Sequence, residues 1–149
     1  MKIRKTNKNL SLPKYQTSGS VGLDLYVSGN HTIPSKTMGI IPFGINIKPH
    51  LSVFETEVPF TILVPRSSLF KKTGLMLANS IGIIDADYSG NDDEIMGCLY
   101  NTTDKPVSLK EGDRICQLVQ IVALKSEIEQ VDDMDEINRG GFGSTDEYK

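Results

Sequence analysis

Gly82-Ile83-Ile84-Asp85-Ala86-Asp87-Tyr88-Ser89-Gly90 is an apolar run that ends in two carboxylates, a tyrosine and a Ser-Gly pair. Bulky β-branched residues followed by turn chemistry read as one limb of a β-hairpin, with Asp85 and Tyr88 near its bend. Working outward, the same pattern recurs along the chain. Gly22–Val27, Thr37–Ile47, Phe60–Val64, Gly74–Ala78, Ile81–Ile84, Ile95–Tyr100, Pro106–Leu109 and Ile115–Leu124 are short apolar or alternating runs, the lengths and compositions of strands. Between them stand turn signals: Ser28-Gly29-Asn30, Pro34-Ser35, Ser89-Gly90-Asn91, Thr102-Thr103-Asp104 and Glu111-Gly112-Asp113. Repeated hairpins without long helical periodicity predict an all-β sandwich or barrel.

One short helix is expected at Ser67–Lys72, after Pro65, with Ser67 or Ser68 at its start. From Ser126 to Glu136 the chain turns acidic and sparsely apolar, then passes into the Gly-rich stretch Asn138–Thr145. An extended arm with a mobile tail is the expectation there.

Composition narrows the class. A chain of 149 residues with 38% hydrophobic and 23% charged residues suits one globular domain, with a core over about 1–125 and an arm over about 126–149. No apolar run approaches the roughly 18 residues of a spanning helix, so no membrane partner is expected. The opening Met1-Lys2-Ile3-Arg4-Lys5-Thr6 has no apolar stretch behind it, which predicts a cytoplasmic protein, or its nuclear or viral-host equivalent. A net charge of −3 argues against broad binding to a nucleic-acid backbone, so any phosphate must be held locally. Cys98 and Cys116 form neither a disulfide framework nor a metal pattern and read as two buried free thiols.

Five segments carry polar side chains where strands or turns would not need them. Asp24 sits between Leu23 and Leu25 and, by alternation, faces away from both. Val64-Pro65-Arg66-Ser67-Ser68-Leu69 sets a guanidinium and two hydroxyls before a helix start, which suits anionic oxygens and equally an ordinary N-cap. Asp85 serves a turn as readily as a reaction. Arg114 and Gln117 interrupt an apolar strand, and Arg139 with Phe142 gives the Gly-rich tail a cation and a ring.

Taken in this order, the five segments resemble the five motifs of the trimeric dUTPases, over Gly22 to Thr145. The likeness is closest in Val64–Leu69 and Leu77–Tyr88. It implies a jelly-roll-like β-barrel, a homotrimer, and hydrolysis of dUTP to dUMP and pyrophosphate with Mg2+, which limits uracil incorporation into DNA and supplies dUMP for thymidylate synthesis. By the same resemblance Asn79, Gly82, Ile83, Ile84 and Met96 form the uracil slot, and Tyr88 lies under the sugar, excluding ribose. Asp85 is the general base that activates water against the α-phosphorus. Asp24 meets the metal through water. Arg66, Ser67, Ser68 and Gln117, with Arg114, hold phosphates, while Arg139, Phe142, Gly143, Ser144 and Thr145 close over the nucleotide. Each site is implied to draw segments from three chains.

Several residues depart from the family pattern. Only Gly140-Gly141 separates Arg139 from Phe142, Asp146 and Glu147 follow where glycine is common, and Val21 replaces an alanine. The loop Ser89–Glu94 is longer and more acidic than usual and reads as a solvated tip. dCTP deaminases share an Arg-Ser-Ser segment, but their catalytic glutamate and hairpin sequence are not evident here, and Tyr88 favours dUTPase.

Overall fold

Alternation of apolar and polar residues becomes twelve elements in the computed structural model, which describes residues 1–50, 57–138 and 140. The strands are β1 (Lys2–Lys5), β2 (Leu23–Tyr26), β3 (His31–Ile33), β4 (Met38–Pro42), β5 (Ile45–Lys48) and β6 (Glu57–Pro65). After helix α1 (Leu69–Thr73) come β7 (Leu75–Leu77), β8 (Gly82–Ile84), β9 (Met96–Asn101), β10 (Val107–Leu109) and β11 (Arg114–Leu124). Every strand pair is antiparallel.

A four-stranded sheet runs in the order β2-β11-β6-β8, a three-stranded one in the order β4-β9-β7, and two ribbons pair β1 with β5 and β10 with β3. The protein is thus nearly all β with one short helix. Among the described residues no continuous ring of ladders closes these sheets into a barrel. Inward side chains from all of them meet in one core, in which Leu25, Phe43, Ile45, Leu75, Leu99 and Leu118 are essentially dry. Burying such side chains stabilises the fold by about 1.5–3 kcal/mol each.

The structure refines several expectations. The run Thr37–Ile47 is two strands, because Gly44 adopts φ +67° and bulges the chain, so that Phe43 N–H donates to the Ile95 carbonyl and Ile95 N–H to the Ile45 carbonyl. A side chain at Gly44 would also crowd Asn7 and Leu10. β8 starts at Gly82 rather than Ile81 because Ser80, with φ +63°, closes a turn. Helix α1 occupies Leu69–Thr73, and Ser68 stands at its N-cap without a side-chain capping bond; the hydroxyl leaves that end of the helix uncapped. Gly74 ends the helix in the left-handed conformation, its N–H donating to the Phe70 carbonyl. β1 and β3 lie outside the strands expected from sequence, being too polar and too short to stand out.

β8 was expected to pair with the returning strand as a hairpin. Its ladder partner is β6, through Leu63↔Gly82, Ile62↔Ile83 and Thr61↔Ile84, while β9 joins β4 and β7. The connection between β8 and β9 folds on itself in tight turns, with Tyr88 N–H donating to the Asp85 carbonyl at 3.2 Å and Gly90 N–H to Asp93 Oδ2 at 2.7 Å. The two limbs therefore splay apart into different sheets.

Candidate active site

The splayed limbs enclose a cleft of about 300 Å³ lined by Asn79, Gly82, Ile83, Ile84, Asp85, Tyr88, Glu94, Met96 and Cys98, with Leu63 and Ile95 at its floor. Gly82–Ile84 borders it as a sheet edge. Among the described residues β8 has a ladder partner on its β6 side alone, so the other edge offers unpaired main-chain donors and acceptors to the cleft. Gly82 keeps this edge tight against the sheet, since a Cβ there would stand 3.1 Å from Leu63 Cβ. A flat heterocycle presented to such an edge would be read by main-chain groups whose identity no side-chain substitution alters. Asp85 is exposed at the mouth. The Tyr88 hydroxyl donates to the Glu94 carbonyl at 3.1 Å, which ties its ring to the cleft wall.

A second constellation lies elsewhere. Asp24, Arg66, Ser67, Gly22 and Gln117 border one open cleft. Asp24 does face away from the core leucines, yet it is only 3% exposed. Its Oδ1 sits 3.2 Å from Arg66 Nε and its Oδ2 3.3 Å from Arg114 Nη1. Arg66 Nη1 also donates to the Arg114 carbonyl at 3.3 Å. A carboxylate this dry needs compensating charge, and the two arginines supply it. Both remain part-exposed and keep donors for an anion. Gly22 makes room for Gln117: a Cβ at Gly22 would stand 2.2 Å from Gln117 Oε1.

The second constellation starts at the β2 edge with Asp24 and spreads over the same ends of β11 and β6, whereas the cleft borders β8 at the opposite edge of the four-stranded sheet. β2 and β8 are separated by β11 and β6, three strand spacings or roughly 14 Å. Asp24 is level with Gln117 and Val64, whereas Ile84 is level with Thr61, which adds an offset along the strands of about 13 Å to Asp85.

Ser68 is half-buried beside Ser67. Arg139, Phe142, Gly143, Ser144 and Thr145 lie outside the described residues. The thiols differ from expectation: Cys116 is buried, but Cys98 is half-buried and borders the cleft. Glu94, assigned from sequence to a solvated tip, instead borders the cleft and accepts the Gly44 N–H at 2.8 Å. Its position directly before the apolar run 95–100 was the available signal. Among the described residues no group of three acidic, His or Cys side chains is placed to hold a metal, and no helix is long and apolar enough to cross a membrane.

A mainly β protein with a main-chain-edged cleft for a flat ring and a guanidinium-rich face for anions has the equipment of a nucleotide hydrolase. Comparison with known proteins makes the assignment specific. The dUTPase family model matches residues 8–146. The deoxyuridine 5'-triphosphate nucleotidohydrolase of Helicobacter pylori strain P12 is 38% identical over 148 residues, covering 97% of this chain and 95% of its own. The crystal structure of dUTPase from Streptococcus mutans superposes with a TM-score of 0.73 at 32% identity, covering 84% of this chain and 98% of its own. A dUTPase from phage phi11 of S. aureus, described with a structural Mg(II) ion, has the same fold at TM-score 0.73 and 19% identity, covering 91% of this chain and 98% of its own. The chain belongs to the dUTPase family, the enzymes that hydrolyse dUTP to dUMP.

Proposed function

We propose that this dUTP hydrolase works as a homotrimer of single-domain chains whose sites are completed between copies. The separation of the two constellations carries this reading. Gln117, on β11, stands two strand spacings or roughly 10 Å across the sheet from Asp85 and about 13 Å along it, and Arg66, at the end of the neighbouring β6, lies six residues or roughly 20 Å along, too far for one copy to bring both to a single phosphorus. A second copy offering its anion face to the first copy's cleft removes the difficulty. The sheet β4-β9-β7 favours such assembly, because its outer face leaves Met38, Ile40, Met76 and Met96 exposed, an apolar surface that association would bury.

In this mechanism uracil enters the cleft against the free edge of Gly82–Ile84, with Asn79 at its end and Met96 opposite. Main-chain groups cannot rearrange to suit cytosine, and the tight seat rejects the thymine methyl. Tyr88, tied to Glu94, forms a wall against the sugar and leaves no volume for a ribose 2′-hydroxyl. Asp85 accepts a proton from water as it attacks the α-phosphorus. Arg66, Ser67, Ser68 and Gln117 from another copy bind the phosphates and stabilise charge on the departing pyrophosphate. The arm residues Arg139, Phe142, Gly143, Ser144 and Thr145 close over the bound nucleotide.

Magnesium neutralises phosphate charge when it is bound. Both oxygens of Asp24 already face guanidiniums at 3.2 and 3.3 Å. This donor set fits an ion that arrives with the triphosphate and meets Asp24 only through water.

Pyrophosphate release from dUTP, dCTP, dTTP and UTP in the presence of magnesium tests the reading. Turnover of dUTP alone, lowered about 10²–10⁴-fold in Asp85→Asn, is the expected result. Undiminished turnover in that variant would remove Asp85 from its role, and ammonia release from dCTP would replace the reaction.

A further inference from the structure

Tyr88 is 39% exposed, so packing alone does not fix its ring. A tyrosine on a surface loop has two freely rotating side-chain torsions unless something holds the hydroxyl. Here the holder is the carbonyl of Glu94, which accepts from Tyr88 Oη at 3.1 Å. Glu94 is in turn fastened by its own side chain, Oε1 accepting the Gly44 N–H at 2.8 Å.

The turn that provides that N–H is rigid. Gly44 sits at φ +67°, and its carbonyl accepts from the N–H groups of Thr6 and Asn7 at 2.8 and 3.2 Å. One residue past Glu94, Ile95 is zipped between Phe43 and Ile45 by bonds of 3.0 and 2.8 Å. The rest of the loop, Ser89–Asp93, folds on itself in tight turns, and Arg4 Nη1 donating to the Asn91 carbonyl at 2.9 Å ties it to β1.

We propose that Glu94 is a specificity-determining positioning residue, which through Gly44 and its own carbonyl holds the Tyr88 ring where a ribose 2′-oxygen would otherwise fit. It rests on the reading of Tyr88 as the sugar wall and adds what keeps the wall upright. Loss of the Glu94 carboxylate leaves the cleft's base-reading edge and Asp85 in place. The Glu94 carbonyl is then anchored from one side alone, through the Ile95 N–H bond to Ile45, and the ring it holds gains room to swing outward, so that discrimination against UTP falls while turnover of dUTP persists.

The test is the ratio of kcat/KM for dUTP over UTP, measured on the full chain in its native assembly. Glu94→Ala should lower that ratio about tenfold, with kcat/KM for dUTP within about threefold of the parent. Glu94→Gln, whose amide oxygen still accepts the Gly44 N–H, should restore the parent ratio. Tyr88→Phe, which removes the tethered hydroxyl and leaves Glu94 intact, should repeat the Glu94→Ala loss, and it carries the test should Glu94→Ala not fold. In a Tyr88→Ala background Glu94→Ala should have no further effect on the ratio.

An unchanged ratio in Glu94→Ala and Tyr88→Phe, beside a fall in Tyr88→Ala, overturns the tether and spares the wall. An unchanged ratio in Tyr88→Ala overturns the wall itself. A parallel loss of both activities in Glu94→Ala that Glu94→Gln does not rescue marks Glu94 as a fold residue only.

Discussion

Gly22 is small for the sake of another residue. Its missing Cβ would occupy the place of Gln117 Oε1, 2.2 Å away, so Gly22→Ala should push the amide off the anion face. The loss of about one neutral hydrogen bond, ~1.4 kcal/mol or roughly tenfold in kcat/KM for dUTP, is expected, with a circular dichroism spectrum like the parent's. Asp24 shows what alternation can and cannot reveal. Its direction away from Leu23 and Leu25 was legible in sequence, but the guanidinium of Arg114, far along the chain, reaches it only through the β2–β11 register. Burial pushes the Cys116 thiol from 9.0 to about 12. The folded protein then holds a proton that the unfolded chain releases, so this contribution to stability is complete below about pH 9 and is lost as the pH climbs toward the folded value. The urea midpoint of the parent should fall between about pH 9 and about pH 11 more steeply than that of Cys116→Val, by an amount approaching ~1.4 kcal/mol per pH unit.

Elements join where buried polar groups are fully used. Asn101, at the end of β9, is completely buried. Its Nδ2 donates to the carbonyls of Ile33, Pro34 and Lys105 at 3.0, 3.2 and 2.8 Å. Its Oδ1 accepts from Thr103 N–H and Oγ1 at 2.9 and 2.8 Å. Asn101→Ala strands these partners and should lower unfolding free energy by about 3–5 kcal/mol in denaturant titration. At this scale the strongly apolar strands, β6 and β11 above all, were readable from side chains alone. β3 was not, since its three residues include a histidine and a threonine and only pairing with β10 makes them a strand. The partner of β8 was hidden for a different reason. Chain proximity favours a hairpin, and what separates the limbs is that β8 ladders onto β6 while β9 ladders onto β4 and β7, pairings that no periodicity records.

For the whole molecule, the five motifs were legible as an ordered set, and the distribution of the first four over two clefts was not, because strand order lies outside a linear reading. Two experiments address the assembly that this distribution favours. Ile40→Lys puts a charge on the outer face of β4 and should shift sedimentation toward smaller species, with loss of dUTP turnover in step. Co-refolding equal amounts of Asp85→Asn and Arg66→Ala should restore about a quarter of parental activity if different copies supply the two halves, and none if one copy supplies both.

The edge of β8 that is bare among the described residues has a cost outside catalysis. Ile81 and Ile83 are half or more exposed beside it, and an unpaired apolar strand invites pairing with any similar strand. In the proposed binding mode a nucleotide takes the position of a missing neighbour. That mode would make substrate a preservative as well: protein kept with a non-hydrolysable dUTP analogue should stay clear by light scattering through heating or storage that clouds the empty form.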